Sequence, residues 1–335
     1  MDIIKLEQSM RLEGHRADYI KLCKDYAINL KRNELPVIFN IEHLAKLIGI
    51  NADECYAYYQ LSSNLYNELL IPKRTGGQRV INAPSENLKY IQRWILDNIL
   101  SNVSISVHAN GFINERSIVT NAIQHIGKKC VINLDIKDFF PSITYIQVYN
   151  LFNRLGYSRH LSMVFTGLCT LDNKLPQGAP TSPYLSNIIC KNLDDRLSLL
   201  ASHINASYSR YADDITFSGD RGITSYIKLI KKVVQEERFL INEKKVRVQF
   251  QYHRQMVTGL IVNEKLSIPK KTRNYLRQEI YYCQKYGVKD HMSKKGLYKT
   301  NYQGHLTGLA QFIKMVDSKL GEEYLKSLDK IDWES

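Results

Sequence analysis

Two adjacent carboxylates, Asp213 and Asp214, constrain this chain more than any other feature. They lie in the segment Tyr208–Phe217, whose pattern predicts a strand, a tight turn and a second strand. Like charges this close repel and raise each other's pKa, so a fold that keeps them usually places a cation beside them. The usual cation is Mg²⁺, a hard ion that takes carboxylate and phosphate oxygens together. The alternative is an ordinary turn, in which aspartate is also common.

The composition is that of a globular protein with a polyanionic partner. The 335 residues include 46 Lys and Arg against 33 Asp and Glu, which gives a formal net charge of +13. Such an excess favours nucleic acid as the partner. We expect no membrane partner, because no apolar run reaches spanning length. We expect a cytoplasmic location, because the first thirty residues lack the pattern of a signal peptide.

Asp135 provides a third carboxylate. The segment Cys130–Asp135 predicts a buried strand that ends in this acid. A strand presenting one carboxylate, beside a hairpin presenting two, would bring three acids to one edge of a sheet. Three acids can hold two Mg²⁺ ions about 3.5–4 Å apart, the arrangement used for displacement at phosphorus. The alternative role for Asp135 is the N-cap of the following segment.

The rest of the chain is predicted to be mostly helical. Helical spacing covers Asp2–Leu30, and the chain from Lys270 onward is helical, basic and rich in tyrosine. The segment Ile71–Pro84 predicts two short strands joined by a Gly-Gly turn, and Met256–Val262 predicts a further strand.

Five blocks of the sequence resemble a known family. Three of them, in order and at family spacing, are similar to blocks of bacterial reverse transcriptases. Two more resemble the Asn-Ala-x-x-His and Val-Thr-Gly elements of retron reverse transcriptases. The first three are Leu134–Ser142, Leu175–Asn187 and Tyr211–Asp214, and the last two are Asn121–His125 and Val257–Gly259.

The resemblance implies a fold and a domain organisation. The fold is an α+β right-hand polymerase with fingers, palm and thumb, an antiparallel palm sheet, and helical N-terminal and thumb segments. We expect an N-terminal helical segment at 1–60, the fingers and palm of the reverse transcriptase core at 61–255, and a primer-grip strand with a helical thumb at 256–335. We expect no RNase H or endonuclease domain in this length.

The resemblance also implies catalytic roles. Asp135, Asp213 and Asp214 would be the catalytic, metal-binding carboxylates, with the carbonyl of Ile136 as a further ligand. The cofactor would be Mg²⁺ in a two-metal site, with Mn²⁺ as a substitute. The segment Asn242–Lys245 resembles the block after the catalytic hairpin, where a lysine assists departure of pyrophosphate, although a surface charge run explains it nearly as well.

The predicted nucleotide pocket uses five residues. Lys73 and Arg79 would grip the triphosphate of the incoming dNTP, and Phe140 would lie under the sugar and reject a 2′-OH. Gln177 and Gly178 would line the pocket, with glycine allowing close approach of the backbone. The alternatives are a solvated basic hairpin for the two cations, core packing for the ring and an ordinary turn for the last pair.

The two retron elements would contribute to RNA and primer binding. Val257, Thr258 and Gly259 would lie near the primer grip, and Asn121 and His125 would support recognition of primer or RNA. Taken alone, the histidine fits a core position and Val-Thr-Gly fits a strand end. The basic, tyrosine-rich tail suits a thumb that holds a nucleic-acid stem, or alternatively a plain amphipathic bundle.

The implied activity is RNA-directed DNA synthesis by a retron enzyme. Its partner would be a cognate structured non-coding RNA of the msr–msd type, primed from an internal guanosine 2′-OH to yield branched msDNA, with a separate effector protein in anti-phage defence. The alternatives are a reverse transcriptase of another bacterial lineage (group II intron-like or CRISPR-associated), a non-catalytic RNA-binding scaffold, and an RNA-dependent RNA polymerase. The intact acids disfavour the scaffold, and Phe140 disfavours the RNA polymerase.

Overall fold

The computed structural model describes residues 2–72, 76–296 and 301–333. The chain forms two compact units and passes between them several times. The first unit contains the residues up to Phe112, Ile136–Arg196 and Val233–Leu240, and the second contains Ile113–Asp135, Leu197–Lys232 and the residues from Ile241 onward.

Helices account for most of the described residues. Two of them begin with a capping box, in which the side chain of each of two residues accepts a hydrogen bond from the backbone amide of the other. These boxes are Ser117 with Thr120, and Thr144 with Gln147. The α-helices are α1 (Ile3–Leu12), α2 (Ala17–Arg32), α3 (Ile41–Ile48), α4 (Ala52–Gln60), α5 (Glu86–Asn98), α6 (Ile118–Ile123), α7 (Phe139–Ser142), α8 (Tyr145–Arg154), α9 (Arg159–Cys169), α10 (Ser182–Ile189), α11 (Lys191–His203), α12 (Ile227–Glu236), α13 (Lys270–Tyr286), α14 (Val288–Lys295), α15 (Tyr302–Lys314) and α16 (Ser318–Leu328).

The predicted helical stretch Asp2–Leu30 is two helices rather than one. The chain turns after α1 at Gly14, whose φ of 77° lies in the left-handed region that glycine adopts without a steric penalty. The break lets α1 fold back on α2, so that Met10 packs against Ile20 and Cys23. The hydrophobic spacing continues across the turn because both helices use it to bury the same small core.

All the β-structure within the described residues is antiparallel. The first unit contains a two-stranded ribbon, β1–β2, and Gly76 and Gly77, which lie just before β2, both have positive φ. The second unit contains a four-stranded sheet in the order β4-β5-β3-β6, which we call the palm sheet, and the small hairpin β7–β8. The strands are β1 (Tyr66–Pro72), β2 (Gln78–Pro84), β3 (Cys130–Asp135), β4 (Ser207–Tyr211), β5 (Asp214–Gly219), β6 (Arg247–Phe250), β7 (Met256–Val257) and β8 (Leu260–Ile261).

The prediction for β3 is confirmed, whereas the prediction of one strand over Met256–Val262 is wrong. Thr258 and Gly259 both have positive φ, at 46° and 86°, and they form a two-residue turn that reverses the chain. Val257 consequently pairs with Leu260 across the hairpin. The apolar residues on either side of this turn belong to two short strands.

The helices of the second unit share one hydrophobic core with the β7–β8 hairpin. Leu276 and Ile280 of α13 pack in it with Leu306 and Ile313 of α15, together with Val257. Burial of this apolar surface fixes the hairpin against the helical C-terminal part of the unit. None of the helices within the described residues is long and apolar enough to cross a membrane.

Candidate active site

The register of the palm sheet brings the predicted acids together. Asp135, the last residue of β3, lies directly opposite Asp214, the first residue of β5. Asp214 also pairs with Tyr211 across the β4–β5 hairpin, which leaves Asp213 in the two-residue turn. Directly opposed residues on an antiparallel pair have Cβ atoms about 4.5–5.5 Å apart. The second unit therefore gathers all three carboxylates at one end of its sheet.

The turn that carries Asp213 is strained, and a buried arginine side chain stabilises it. Ala212 has a φ of 55°, a conformation that costs a non-glycine residue about 1–2 kcal/mol. The Arg210 side chain is completely buried, and its Nη1 donates a hydrogen bond of 3.0 Å to the Ala212 carbonyl. Strain of this kind persists where the surroundings over-determine the backbone. Arg210 thus fixes the peptide that precedes the first acid of the pair.

The electrostatics of the acids reflect burial and mutual repulsion. Burial, and then the charge of Asp135, raise the pKa of Asp213 above its ordinary value. Burial, followed by the charges of Asp213 and Asp135, raises the pKa of Asp214 to about 6. Oxygen donors that repel one another in a partly desolvated site are the donor set that a hard divalent cation prefers.

Lys245 supplies a positive charge at the acids. Its Nζ lies 2.7 Å from Asp135 Oδ2, and the backbone beside it is tied to the same strand because the Asn242 amide donates to the Asp135 carbonyl at 2.8 Å. Burial acts to lower the pKa of Lys245, but the hydrogen bond and charge of Asp135 prevail and raise it. Among the described residues, no group of three or more His, Cys, Asp or Glu side chains is placed so that it could hold a metal ion as it stands. A metal bound to Asp135 would therefore compete with the Lys245 ammonium.

The first unit brings three predicted nucleotide-pocket residues to one place. The Gln177 carbonyl accepts a hydrogen bond of 2.8 Å from the amide of Asn82 on β2. A Cβ on Gly178 would lie 2.4 Å from the Asn82 carbonyl oxygen, so only glycine fits there. Arg79 lies exposed on the same strand, three residues before Asn82 and thus about 10 Å away along it. The Gln177–Gly178 loop is therefore held against the strand that carries Arg79.

Phe140 lies in the same unit as this loop. It is half-buried in α7, with its ring centroid 5.3 Å from that of Phe139 and 5.9 Å from that of Phe112. The Ile143 carbonyl at the end of α7 accepts from the Leu175 amide at 3.0 Å, which ties the helix to the segment before Gln177. Lys73 lies outside the described residues.

Asn121 and His125 are completely buried in the second unit. The Ser209 hydroxyl donates to Asn121 Oδ1 at 2.8 Å and also lies 2.8 Å from His125 Nε2. Ser209 has one hydroxyl hydrogen, which it donates to Asn121, so Ser209 accepts a hydrogen bond from His125 Nε2. In the neutral imidazole Nδ1 then carries no hydrogen, and it accepts from the Ser218 hydroxyl at 2.7 Å. Burial lowers the pKa of His125 to about 3, so the imidazole is neutral. These side chains therefore bind the hairpin strands β4 and β5 rather than face solvent.

The Val-Thr-Gly element joins the same network. Thr258 is β-branched yet has positive φ, which is a marked strain. Its Oγ1 donates to the Ile118 carbonyl at 3.2 Å and accepts from Asn121 Nδ2 at 3.5 Å. Val257 is buried beneath the turn and Gly259 is exposed at its tip. The two retron elements, far apart in sequence, are thus joined by a hydrogen bond between the buried Asn121 and the partly buried Thr258.

Sequence reasoning missed two residues of this site. Arg210 carried a weak signal, because the one charged residue of a buried strand must find a partner there. Gln249 of β6 carried none. Its amide accepts from the Met256 backbone N–H at 2.8 Å, donates to the Met256 carbonyl at 3.1 Å and also donates to Asn133 Oδ1 on β3. It joins the β7–β8 hairpin to the strand that ends in Asp135.

Comparisons with known proteins agree with this geometry. The family described as reverse transcriptase (RNA-dependent DNA polymerase) matches residues 71–280. The retron Mx65 reverse transcriptase of Myxococcus xanthus is 34% identical over 317 residues, which covers 88% of this chain and 72% of that protein. The retron Ec86 reverse transcriptase of Escherichia coli is 32% identical over 310 residues, which covers 90% of this chain and 92% of that protein. The chain belongs to the retron reverse transcriptases.

The membership confirms three of the predictions. The retron reverse transcriptase is an RNA-directed DNA polymerase and therefore a nucleotidyltransferase. Its fold class is the α+β right-hand polymerase, with helices and antiparallel strands as described above. It acts on an RNA template, and its family uses divalent metal ions, for which the three acids are suitable oxygen donors.

Proposed function

We propose that this retron reverse transcriptase copies a cognate structured non-coding RNA of the msr–msd type, starting from the 2′-OH of an internal guanosine. The product would be branched msDNA, made from dNTPs and still joined to the RNA. The observation that carries the proposal is the polar cluster of Asn121, His125 and Thr258, in which the two retron elements meet behind the catalytic hairpin. Such a cluster couples the retron-specific elements to the strands that carry the acids.

In this proposal Asp135, Asp213 and Asp214 hold two Mg²⁺ ions, with the carbonyl of Ile136 as a further ligand and Mn²⁺ as a substitute. Mg²⁺ held there would supply positive charge that lowers the pKa of the attacking hydroxyl and stabilises the leaving pyrophosphate. The Lys245 ammonium, which binds Asp135 here, would then be free to donate a proton to the pyrophosphate. Arg210 keeps the turn before Asp213 in place throughout.

The incoming dNTP uses the first unit. Arg79 on β2 and Lys73, which precedes it, bind the triphosphate oxygens as cations. Gln177 and Gly178 line the base and sugar, and the hydrogen bond from the Asn82 amide to the Gln177 carbonyl supports this because it holds their loop against β2, the strand that carries Arg79. Phe140 forms the floor under the sugar and excludes a 2′-OH by steric contact.

RNA and primer are held by the second unit. Val257, Thr258 and Gly259 form the tip that approaches the primer, with Asn121 and His125 acting beneath it. The thumb offers exposed tyrosines with lysines over their rings: Lys285 Nζ is 5.1 Å and Lys294 Nζ is 5.0 Å from the centroid of Tyr286. Cations beside stacking surfaces are suited to an RNA stem. We also propose that the enzyme is located in the cytoplasm and acts with a separate effector protein in anti-phage defence.

Sequencing the nucleic acid that co-purifies with the enzyme tests the priming step. The enzyme is expressed with its neighbouring non-coding region, and the bound nucleic acid is sequenced before and after treatment with a debranching enzyme. We expect one RNA of fixed stem-loop structure, with DNA released at a single guanosine only after debranching. The Asp213→Asn variant, purified in parallel, should carry the RNA without DNA. Unbranched DNA copied from many RNAs would contradict retron priming and favour another lineage of reverse transcriptase.

A further inference from the structure

A second group of aromatic and basic residues lies at the end of the palm sheet opposite the acids. Cys130 pairs with both Gly219 and Phe250, so the chain enters β3 and leaves β5 and β6 at the same end. Asp135 and Asp214 pair five residues further along, which separates the two ends by about 17 Å. This group is therefore distinct from the catalytic acids.

Tyr252 is the centre of the group. Its side chain is 62% exposed, although its ring stacks on that of Phe250 with centroids 5.6 Å apart and planes at 15°. The Arg221 guanidinium lies 5.6 Å from the Tyr252 centroid, within the range of a cation–π contact. The His253 ring meets Tyr252 edge-on at 4.7 Å. We call Arg221, Phe250, Tyr252 and His253 the Tyr252 platform.

The loop that carries the platform is fixed by one side chain. Asn263 Nδ2 donates to the carbonyls of Gln251 and His253 at 3.1 and 2.8 Å, while its Oδ1 accepts from the Gln255 amide at 2.9 Å. The His253 amide donates to the Phe250 carbonyl at 2.9 Å. An exposed ring in a loop ordered in advance loses little further entropy when a ligand stacks on it.

Basic residues surround the platform. The three segments at this end carry four cations, Lys128, Lys129, Arg221 and Arg254, against one carboxylate, Asp220, which binds Lys129 at 2.9 Å. The excess of positive charge disfavours a basic or neutral protein surface as partner. A single-stranded nucleic acid supplies both a flat base for the ring and phosphates for the cations.

We propose that the Tyr252 platform binds an unpaired segment of the enzyme's own RNA, at a site separate from the catalytic acids. One base stacks on Tyr252, and the adjoining phosphates bind Arg221 and its basic neighbours. The inference rests on the proposed function, because it adds a second contact to the same RNA. It predicts that the enzyme holds the RNA while the template moves through the active site.

An anisotropy titration tests the platform. The enzyme is first saturated with an RNA–DNA template–primer, and a fluorescent single-stranded RNA of about 12 nucleotides is then titrated in. We expect Tyr252→Ala to raise the Kd of this RNA about tenfold and Arg221→Gln about fivefold, whereas Tyr252→Phe keeps the stack and changes it less than about twofold. Extension of the template–primer should stay the same in all three variants.

Matched variants separate base stacking on Tyr252 from a general loss of exposed aromatic surface. Tyr19→Ala, which removes a similarly exposed tyrosine from the first unit, should leave the Kd unchanged. An unchanged Kd in both Tyr252→Ala and Arg221→Gln overturns the proposal and leaves a protein as the partner of this surface. An equal loss in Tyr252→Phe overturns the stacking mechanism. Absence of branched DNA on the co-purified RNA would count against the proposed function, and the ranking of the Kd values would still decide the platform.

Discussion

At the residue scale, stability and activity oppose each other at Asp214. Burial and the charges of Asp213 and Asp135 raise its pKa from 3.8 to about 6. A carboxyl with a raised pKa stabilises the fold when protonated, and that contribution is lost as the pH rises through about 6. We expect Asp214→Asn to abolish polymerisation yet stabilise the metal-free protein by about 1–3 kcal/mol at neutral pH, with the gain vanishing near pH 4.

Thermal unfolding in the presence of a chelator, measured across this pH range, checks the prediction. Glu264→Gln, which removes an exposed acid that follows Asn263 near the opposite end of the palm sheet, is the control and should change the Tm little at any pH. Added Mg²⁺ should stabilise the unaltered protein but not Asp214→Asn. A loss of stability in Asp214→Asn at neutral pH would show that the acids do not repel one another in the fold.

Phe140 is expected to select the sugar of the nucleotide. Phe140→Ala removes the ring under the proposed sugar position, so we expect the preference for dNTP over rNTP to fall about tenfold or more. The measurement is single-nucleotide incorporation with each substrate. Phe112→Ala, which removes the neighbouring ring 5.9 Å away, should leave the preference intact. Equal selectivity in the two variants would remove Phe140 from this role.

The sequence could predict the acids but not their supports. Asp135 and Asp214 could be predicted because Asp135 ends a buried strand and Asp214 follows the turn of a hairpin. Both patterns are local in the sequence, and together they indicate that the acids lie at one edge of a sheet. Lys245 binds Asp135 across 110 residues of sequence, and nothing local to either residue indicates the pair. Arg210 is understood only once its strand is known to be buried on both faces.

At the element scale, the contact of the Gln177–Gly178 loop with β2 has no room for a side chain. Gly178 has a φ of 141°, and a Cβ would meet the Asn82 carbonyl at 2.4 Å. We expect Gly178→Ala to push the loop off β2, raise the KM for dNTP and cost about 1–3 kcal/mol of stability. Gly308→Ala is the matched control, because open space surrounds that helical glycine. An unchanged KM in Gly178→Ala would separate the loop from nucleotide binding.

The helix α6 is joined to the catalytic hairpin by a neutral histidine. The folded pKa of His125 is about 3 against an ordinary 6.5, so its contribution to stability is present above about pH 6.5 and is lost as the pH falls towards 3. We expect His125→Leu to cost about 2–4 kcal/mol near pH 8, because the buried Ser218 hydroxyl loses its bond to Nδ1 and Ser209 loses one of its two bonds.

Urea unfolding at several pH values measures this cost. The gap between His125→Leu and the unaltered protein should narrow on acidification, whereas the exposed control His160→Leu should differ little throughout. RNA affinity of the folded His125→Leu protein separates direct from indirect action. A large loss of affinity with full stability would place the imidazole against RNA instead of beneath the strands.

The β7–β8 hairpin shows why some elements could not be predicted. Two-residue hairpin turns are signalled by Asn-Gly or Asp-Gly, since both central residues need positive φ. Thr-Gly gives only half of that signal. Thr258 adopts the conformation because Ile118 and Asn121, about 140 residues earlier, hold its hydroxyl. Tertiary contacts override the local preference here, whereas the strand β3 follows its local pattern.

At the scale of the whole molecule, composition and motif order were the strongest guides. The net charge of +13 indicated a polyanionic partner, and the order of the blocks indicated the family that the comparisons confirm. The Tyr252 platform lies in no such block. Its exposed ring, fixed loop and surrounding cations come together only at the end of three strands, so the structure was needed to find it.

The central claim is that Asp135, Asp213 and Asp214 together carry the polymerase activity. The most direct measurement is dNTP incorporation on the cognate RNA by the double variant Asp213→Asn with Asp214→Asn, beside the exposed control Asp172→Asn. We expect the double variant to lose at least about a thousandfold in rate while still binding RNA, because the metal-binding charges are gone and the sheet is intact. Incorporation by the double variant at the rate of the control would contradict the account.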